Sequence, residues 1–260
     1  MKPCIIGIAG KANSGKDTIA SMINYIVTVG LSQAKYADWV TKRISNDKLH
    51  GNRIIHFADK LKDVVSIMFS ISRHALDNRK YKDEFYWSFT NKCFINYNLL
   101  TPTTKTRTYI IDIEVLNKFT LKEVINIVKC NVKNYDNILI KTRTLLQYIG
   151  NNIGRNIISD NIWIDSTIDN AIEIANCEHI CIIPDVRYEN EANAISNNGL
   201  LYGGLIKIVR DKDTEVTDSN IESEKINFKT DYFVYNKSTL ANTFYQVLNI
   251  CQQINDINNK

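Results

Sequence analysis

Residues Gly10–Thr18 read GKANSGKDT, directly after the apolar run CIIGIA at Cys4–Ala9 and directly before IASMINYIVTV, a stretch with helical spacing. No other feature constrains the chain as tightly. Glycines at 10 and 15 let the backbone curl so that successive N–H groups point into a concave nest, and a helix N-terminus adds its positive end to the same point. The result is an anion cradle made of Gly10, Lys11, Ala12, Asn13, Ser14, Gly15, Lys16, Asp17 and Thr18. Lys16 would place an ammonium between the outer phosphates of a nucleotide, where it follows charge as it migrates. Asp17 stands where a Ser or Thr more often reaches Mg²⁺. It either holds Mg²⁺ through a water, with Thr18 one residue on, or caps the helix, since a carboxylate is favourable in a first turn. The sequence leaves both open.

A loop of this kind needs a strand before it and a sheet around it. Apolar runs at 4–9, 53–58, 179–184, 205–209 and 232–235 read as strands. Helical patterns at 17–29, 60–71, 142–158, 163–174, 189–197 and 240–254 alternate with them. Such alternation predicts an α/β fold, a mostly parallel sheet covered on both faces. At 260 residues and 44% hydrophobic content the chain suits one domain. The expected core is about 1–77 and 138–260, with an aromatic- and Asn-rich insertion at about 78–137 expected to be helical or irregular. The polar stretch 211–229 is expected to be a surface loop or short helix.

Charge and composition narrow the partners. The net charge is +4 with the basic residues scattered, so no stripe suits a nucleic-acid groove, and small anionic substrates fit better. Six widely spaced cysteines suggest reduced thiols in the cytoplasm. No apolar run approaches the roughly 20 residues of a membrane-spanning helix, so no membrane partner is expected.

Ligands collect at the carboxyl ends of strands in open α/β sheets, which singles out HICIIPDVRYENE at 179–191. Asp185 and Arg187 should share the rim of the phosphate loop. Arg187 offers a planar fork for phosphate, and Glu191 could orient that fork or hold a sugar or base group. The helix TRTLLQYIGNNIGRNI carries Arg143 and Gln147 at i and i+4 on one face, opposite Leu145, Leu146 and Ile149, with Gly150 and Arg155 further along. Lys60 or Lys62 in HFADKLKDVV could steer an acceptor phosphate. The trio Cys177-x-His179-x-Cys181 would lie on one face of a strand without a fourth ligand, which argues against zinc. His56 and His74 lack a partnered nucleophile, and EFYWSF at 84–89 reads as packing for the insertion, with a nucleobase slot as the alternative.

Taken together, these residues resemble the deoxynucleoside monophosphate kinases of bacteriophages and large DNA viruses. The family's G-x-x-x-S-G-K-D-T loop is matched by GKANSGKDT, Asp17 included. Its A-x-x-(I/L)-K-D segment is matched by ADKLKD at 58–63, which favours Lys62 over Lys60. Its R-x-L-(L/M)-Q-x-(L/I)-G helix is matched at 143–150, a following tryptophan by Trp163, and P-D-x-R-x-x-x-E by Pro184, Asp185, Arg187 and Glu191. A late S-E pair is matched by Ser223 and Glu224, and a strand, Asn, Ser/Thr-Leu sequence by 236–240. The resemblance implies a three-layer P-loop NTPase fold whose insertion forms the acceptor-binding and lid side. It also implies ATP and Mg²⁺ at the loop, and a deoxynucleoside monophosphate surrounded by Lys62, Arg143, Gly150, Trp163, Asp185, Arg187 and Glu191. Dimers are common in that family, which leaves a homodimer open. The chain departs from it at Asn151 and Asn152, where Thr and an acidic residue are usual, and at Ile221, where a His often precedes the S-E pair.

The expected reaction is in-line transfer of the ATP γ-phosphoryl to the 5′-phosphate of the acceptor, dGMP and/or dTMP. The catalytic set is Lys16, Arg143, Arg155 and Arg187, with Arg155 as the closing-lid arginine and Arg143 or Arg187 on the acceptor phosphate. Two rivals stand beside it: a P-loop kinase of another small phosphorylated acceptor such as phosphomevalonate, and a nucleotide-binding NTPase or regulator.

Overall fold

The computed structural model describes residues 2–29, 53–118, 135–210 and 228–258, together with Tyr36, Glu123 and Asn126. Ser223, Glu224, Ile221, Cys130 and most of the 211–229 stretch lie outside the described residues. The chain runs β1 (Cys4–Ala9), α1 (Lys16–Val29), α2 (Asp59–Phe69), α3 (Arg73–Asp77), α4 (Arg79–Asp83), β2 (Tyr86–Ser88) and β3 (Phe94–Ile95). It continues with α5 (Pro102–Thr106), β4 (Thr108–Ile111), α6 (Ile113–Lys118), β5 (Asn137–Lys141), α7 (Thr142–Gln147) and a π-helix (Tyr148–Ile158). Then follow α8 (Ile162–Glu178), β6 (Ile180–Val186), α9 (Glu189–Ser196), β7 (Leu201–Val209), β8 (Tyr232–Tyr235) and α10 (Leu240–Asn258). These residues form two compact units, Ala58–Trp163 and the remainder on either side of it.

In the flanking unit the strands run β6-β1-β7-β8, every pair parallel, with Cys4 opposite both Ile180 and Leu201. Period-two alternation assigns the faces. Cys4, Ile6 and Ile8 of β1, with Ile180 and Ile182 of β6, join Ile23 of α1 and Phe244 of α10 in one apolar cluster. Ile5 and Ala9, with Cys181 and Ile183, join Ile168 and Ala171 of α8 and Ile195 of α9 in another. The strands are therefore buried on both sides, as parallel strands must be when helices cover each face. The predicted α/β fold is the observed one.

The run at 53–58 was expected to be a strand, and it touches the sheet only briefly. Ile54 bridges Ile182, the Ile182 amide donates to Arg53 O at 2.7 Å and the Ile55 amide to Ile182 O at 3.0 Å. Beyond that the chain must turn into α2 at Asp59, and the next inward amide, Phe57, goes to a side chain instead.

The unit Ala58–Trp163 has its own core, built on Val65, Ile71, Leu76, Trp87, Ile140 and Tyr148. Its sheet runs β3-β2-β5-β4, with β4 and β5 parallel and the other pairs antiparallel. Part of the insertion expected to be helical or irregular is thus strand, and α7, predicted as one long helix to 158, changes to π geometry at Tyr148. The Ser159 amide donating to Gly154 O at 3.0 Å shows the i to i+5 spacing. Trp163 explains part of that change. Its indole N–H donates to Gly150 O at 2.9 Å, and its ring lies so close to Gly154 that a Cβ there would meet ring atoms at 2.5–2.7 Å.

Candidate active site

The phosphate loop is held from outside. Asn236, just past β8, donates from Nδ2 to Ser14 O at 2.9 Å, while its own amide donates to Val209 O at 2.9 Å. Arg210 Nη1 donates to Asn13 O at 2.6 Å. These bonds set peptide planes that a nest needs set. Gly15 adopts φ 99° and a Cβ there would meet Asn236 Nδ2 at 2.8 Å, so both conformation and space demand glycine.

Inside the curl, the Ser14 side chain is 2% exposed, and its Oγ has no hydrogen-bond partner among the described residues. A Cβ on Gly10 would fall 2.5 Å from that oxygen. A buried hydroxyl without a partner costs free energy, and one set against a glycine in an anion nest suits a phosphate oxygen. Lys16 Nζ donates to Gly10 O and Lys11 O, both at 2.7 Å, so the ammonium lies folded across the loop with bonds that phosphate oxygens can replace.

Asp17 and Thr18 are both exposed at the start of α1. His56 Nε2 stands 3.8 Å from Asp17 Oδ1. The neighbouring His56 chiefly, helped by the charge of Lys16, outweighs burial and holds the Asp17 carboxyl below its ordinary value. An ionised, exposed carboxylate beside a hydroxyl is a hard-oxygen donor set of the kind Mg²⁺ takes with water completing the shell. The residues fit that ion.

Asp185 sits at the end of β6, and the pairing of Ala9 with Val186 puts it on the rim of the sheet where the loop begins. Its Oδ1 accepts from the Phe57 amide at 3.3 Å. Glu191 is 3% exposed, and one of its oxygens accepts from the amides of Arg187 and Tyr188 at 2.7 and 3.2 Å. It shapes the turn that carries Arg187, through the backbone rather than through the guanidinium. The Arg187 side chain is exposed and makes no hydrogen bond or ion pair among the described residues.

In the unit Ala58–Trp163, Lys62 Nζ lies 2.8 Å from Asp77 Oδ1 and 3.5 Å from Asp59 Oδ1. Arg73, which sequence reasoning passed over, binds Asp59, Asp63 and Asp77 at 2.6, 2.5 and 3.1 Å. Burial pushes the Asp77 carboxyl up, but Lys62 and Arg73 outweigh it and hold the group below its ordinary value. Arg143 and Gln147 are both exposed on α7, and Arg143 donates from Nε and Nη2 to Asp83 Oδ1 at 2.9 and 2.6 Å. Lys82 was also missed. Burial first, then the charges of Lys62 and Arg143, push its ammonium down, which marks three cations gathered near one another. The i, i+4 pair Arg73–Asp77 was readable in RHALD, whereas Lys82 gave no signal. Arg155 is half-buried in the π-helix, and Trp163 is 8% exposed, bound to Gly150 and packed on Gly154.

Cys177, His179 and Cys181 do not share a strand face as expected. Cys177 belongs to α8, His179 has φ 65° between the elements, and Cys181 is fully buried in β6. The helix, expected to end at 174, runs on to Glu178 and takes Cys177 with it.

A parallel sheet covered on both faces, with a glycine-bounded anion nest between its central strand and the first helix, defines a P-loop α/β protein. More particularly, the family model for deoxynucleotide monophosphate kinase matches residues 4–247, and the chain belongs to that family. It is a kinase, an ATP-dependent phosphotransferase acting on deoxynucleotide monophosphates. No curated protein matches the chain.

Proposed function

We propose that the chain transfers the γ-phosphoryl of ATP to the 5′-phosphate of dGMP and/or dTMP, giving ADP and the deoxynucleoside diphosphate for DNA synthesis in the cytoplasm. The observation that carries this reading is the loop: Ser14 Oγ buried without a partner against Gly10, with Lys16 folded across the curl.

The acceptor oxygen is an anion at neutral pH, so the protein needs no strong base. It has to position the reactants, exclude water and stabilise charge. Backbone amides of Gly10–Thr18 and Ser14 Oγ hold the outer phosphates of ATP. Lys16 exchanges its two carbonyl bonds for phosphate oxygens and follows the charge as it moves. Arg143 or Arg187 binds the acceptor phosphate, Arg155 closes on the transferring group, and Asp185 and Glu191 keep the Arg187 turn in place. Lys62, Gly150 and Trp163 complete the acceptor set, the last two by holding the π-helix. Asp17 and Thr18 would hold Mg²⁺, which would supply charge neutralisation on the phosphates.

Replacing Asp17 by Asn should raise the Mg²⁺ concentration needed for half-maximal activity several-fold while the thermal midpoint stays close to wild type. A lowered midpoint with an unchanged Mg²⁺ requirement would make Asp17 a helix cap instead. The function itself is tested by ADP formation from ATP and Mg²⁺ with dGMP, dTMP, dCMP, dAMP and GMP in turn. Activity that requires a deoxy acceptor and is lost in Arg187→Ala supports the proposal, and acceptor-independent hydrolysis contradicts it.

A further inference from the structure

We propose that Asn236 is a positioning residue for phosphoryl transfer: it aims the Gly15 amide at the phosphates of ATP, so that the last strand and the last helix set the working geometry of the loop. The inference rests on the reading of Gly10–Thr18 as the ATP site and adds to it a residue 222 positions from Ser14 in the chain.

The argument turns on one peptide plane. In a trans peptide the carbonyl and the following N–H point to opposite sides, and the described residues contain no cis bond. Asn236 Nδ2 holds Ser14 O from outside the loop at 2.9 Å, so the Gly15 N–H of the same plane faces the other way, toward the nest. Among the described residues nothing accepts from that amide. The plane before it is different. Arg210 holds Asn13 O at 2.6 Å, but the Ser14 N–H of that plane already donates to Lys11 O at 3.2 Å. The bond from Asn236 therefore governs a donor that is open to a ligand, and the bond from Arg210 one that is already used.

Such an anchor is needed because the plane ends on a glycine. Gly15 stands at φ 99°, and glycine takes positive and negative φ at similar cost, so the plane between Ser14 and Gly15 has little of its own to stop it turning over. Turned over, it would face the phosphates with carbonyl lone pairs instead of an N–H. A side chain at 15 would restrict the turn, but its Cβ would meet Asn236 Nδ2 at 2.8 Å. Asn236 is itself fixed on two further sides. Its amide donates to Val209 O at 2.9 Å at the end of β7, and its Oδ1 accepts from Thr243 Oγ1 of α10 at 3.4 Å, with Thr243 2% exposed. A side-chain amide can donate to one partner and accept from the other, whereas a carboxylate would turn lone pairs toward Ser14 O. A donor aimed before the substrate arrives costs no reorganisation during transfer, which is where its contribution to rate lies.

The test compares wild type with Asn236→Ala and Asn236→Asp in three measurements on the same samples: equilibrium binding of ATP with Mg²⁺, steady-state ADP formation with a deoxynucleoside monophosphate acceptor, and thermal unfolding without nucleotide. In both variants kcat/KM for ATP should fall on the order of 10²-fold, the cost of losing one preorganised donor, with ATP binding weakened and the KM for the acceptor unchanged. The alanine separates the lost donor from the new charge of the aspartate. A folded Asn236→Ala that binds and uses ATP as wild type does, its thermal midpoint lowered or not, overturns the inference and leaves Asn236 a structural tie. A loss confined to Asn236→Asp also overturns it, since charge repulsion alone would then account for the effect. Should both variants fail to fold, Thr243→Val, which keeps Asn236 and removes the hydroxyl on its Oδ1, carries the same test: kcat/KM for ATP should fall several-fold, and an unchanged value overturns the inference. Wild type that binds no ATP would instead overturn the reading of the loop, and this inference with it.

Discussion

Lys16→Ala should lower kcat on the order of 10³-fold or more, by comparison with the loss of other cationic contacts in phosphoryl transfer, while the fold remains intact. The large effect on rate follows from the position of the ammonium, folded over the nest on Gly10 O and Lys11 O. On the proposed mechanism it stabilises the negative charge that builds on the β–γ bridging oxygen as the bond to the γ-phosphorus breaks. A 10³-fold loss corresponds to about 4 kcal/mol of transition-state stabilisation. The small effect on stability follows from the same two bonds, because the carbonyls they satisfy are at a loop that water reaches. The check is kcat at saturating ATP and acceptor, beside thermal unfolding of the same samples. Near-wild-type turnover would remove Lys16 from the mechanism.

Gly154→Ala should destabilise the protein by about 1–3 kcal/mol, the cost of forcing an atom into a packed site. The new Cβ would stand 2.5 Å from Trp163 Cζ2 and 2.7 Å from Cε2 and Nε1. An indole cannot yield as the end of a flexible chain does, and this one is fixed by its bond to Gly150 O at 2.9 Å. Either the ring turns and gives up that bond, or the π-helix shifts and takes Arg155 with it. The second outcome would also lower activity. Urea unfolding of the variant beside Trp163→Phe separates the two costs, since the phenylalanine loses the N–H and relieves the contact. A Gly154→Ala protein as stable as wild type would show that the close approach of ring and glycine does not hold the helix.

How far the sequence could be read depended on how local each feature was. The strand, loop and helix at 4–29 were legible because apolar run, glycine spacing and helical period adjoin one another in the chain. The strands in CIIGIA and HICIIP were legible too, since short continuous apolar runs fit parallel strands buried on both faces. The second sheet was not. β2 and β3 are three and two residues long, and β2 pairs with β5 across a wide sequence separation, with Tyr86 opposite Lys141. Runs that short carry no period. The bond between Arg143 and Asp83 joins residues 60 apart, which no local pattern can announce. The switch from α to π geometry at Tyr148 was equally hidden, because it is stabilised by Trp163 from the next helix. Ser14 was found as part of a motif, but its buried, unpartnered hydroxyl emerged only when Gly10 lay against it.

The central claim is that phosphate moves to a nucleotide rather than to water. ATP labelled in its γ-phosphoryl group, incubated with the protein, Mg²⁺ and unlabelled dGMP or dTMP, tests it directly. The account predicts label in the deoxynucleoside diphosphate, none without acceptor, and a fall on the order of 10³-fold in Lys16→Ala. Label recovered as inorganic phosphate at a rate indifferent to the acceptor would contradict it.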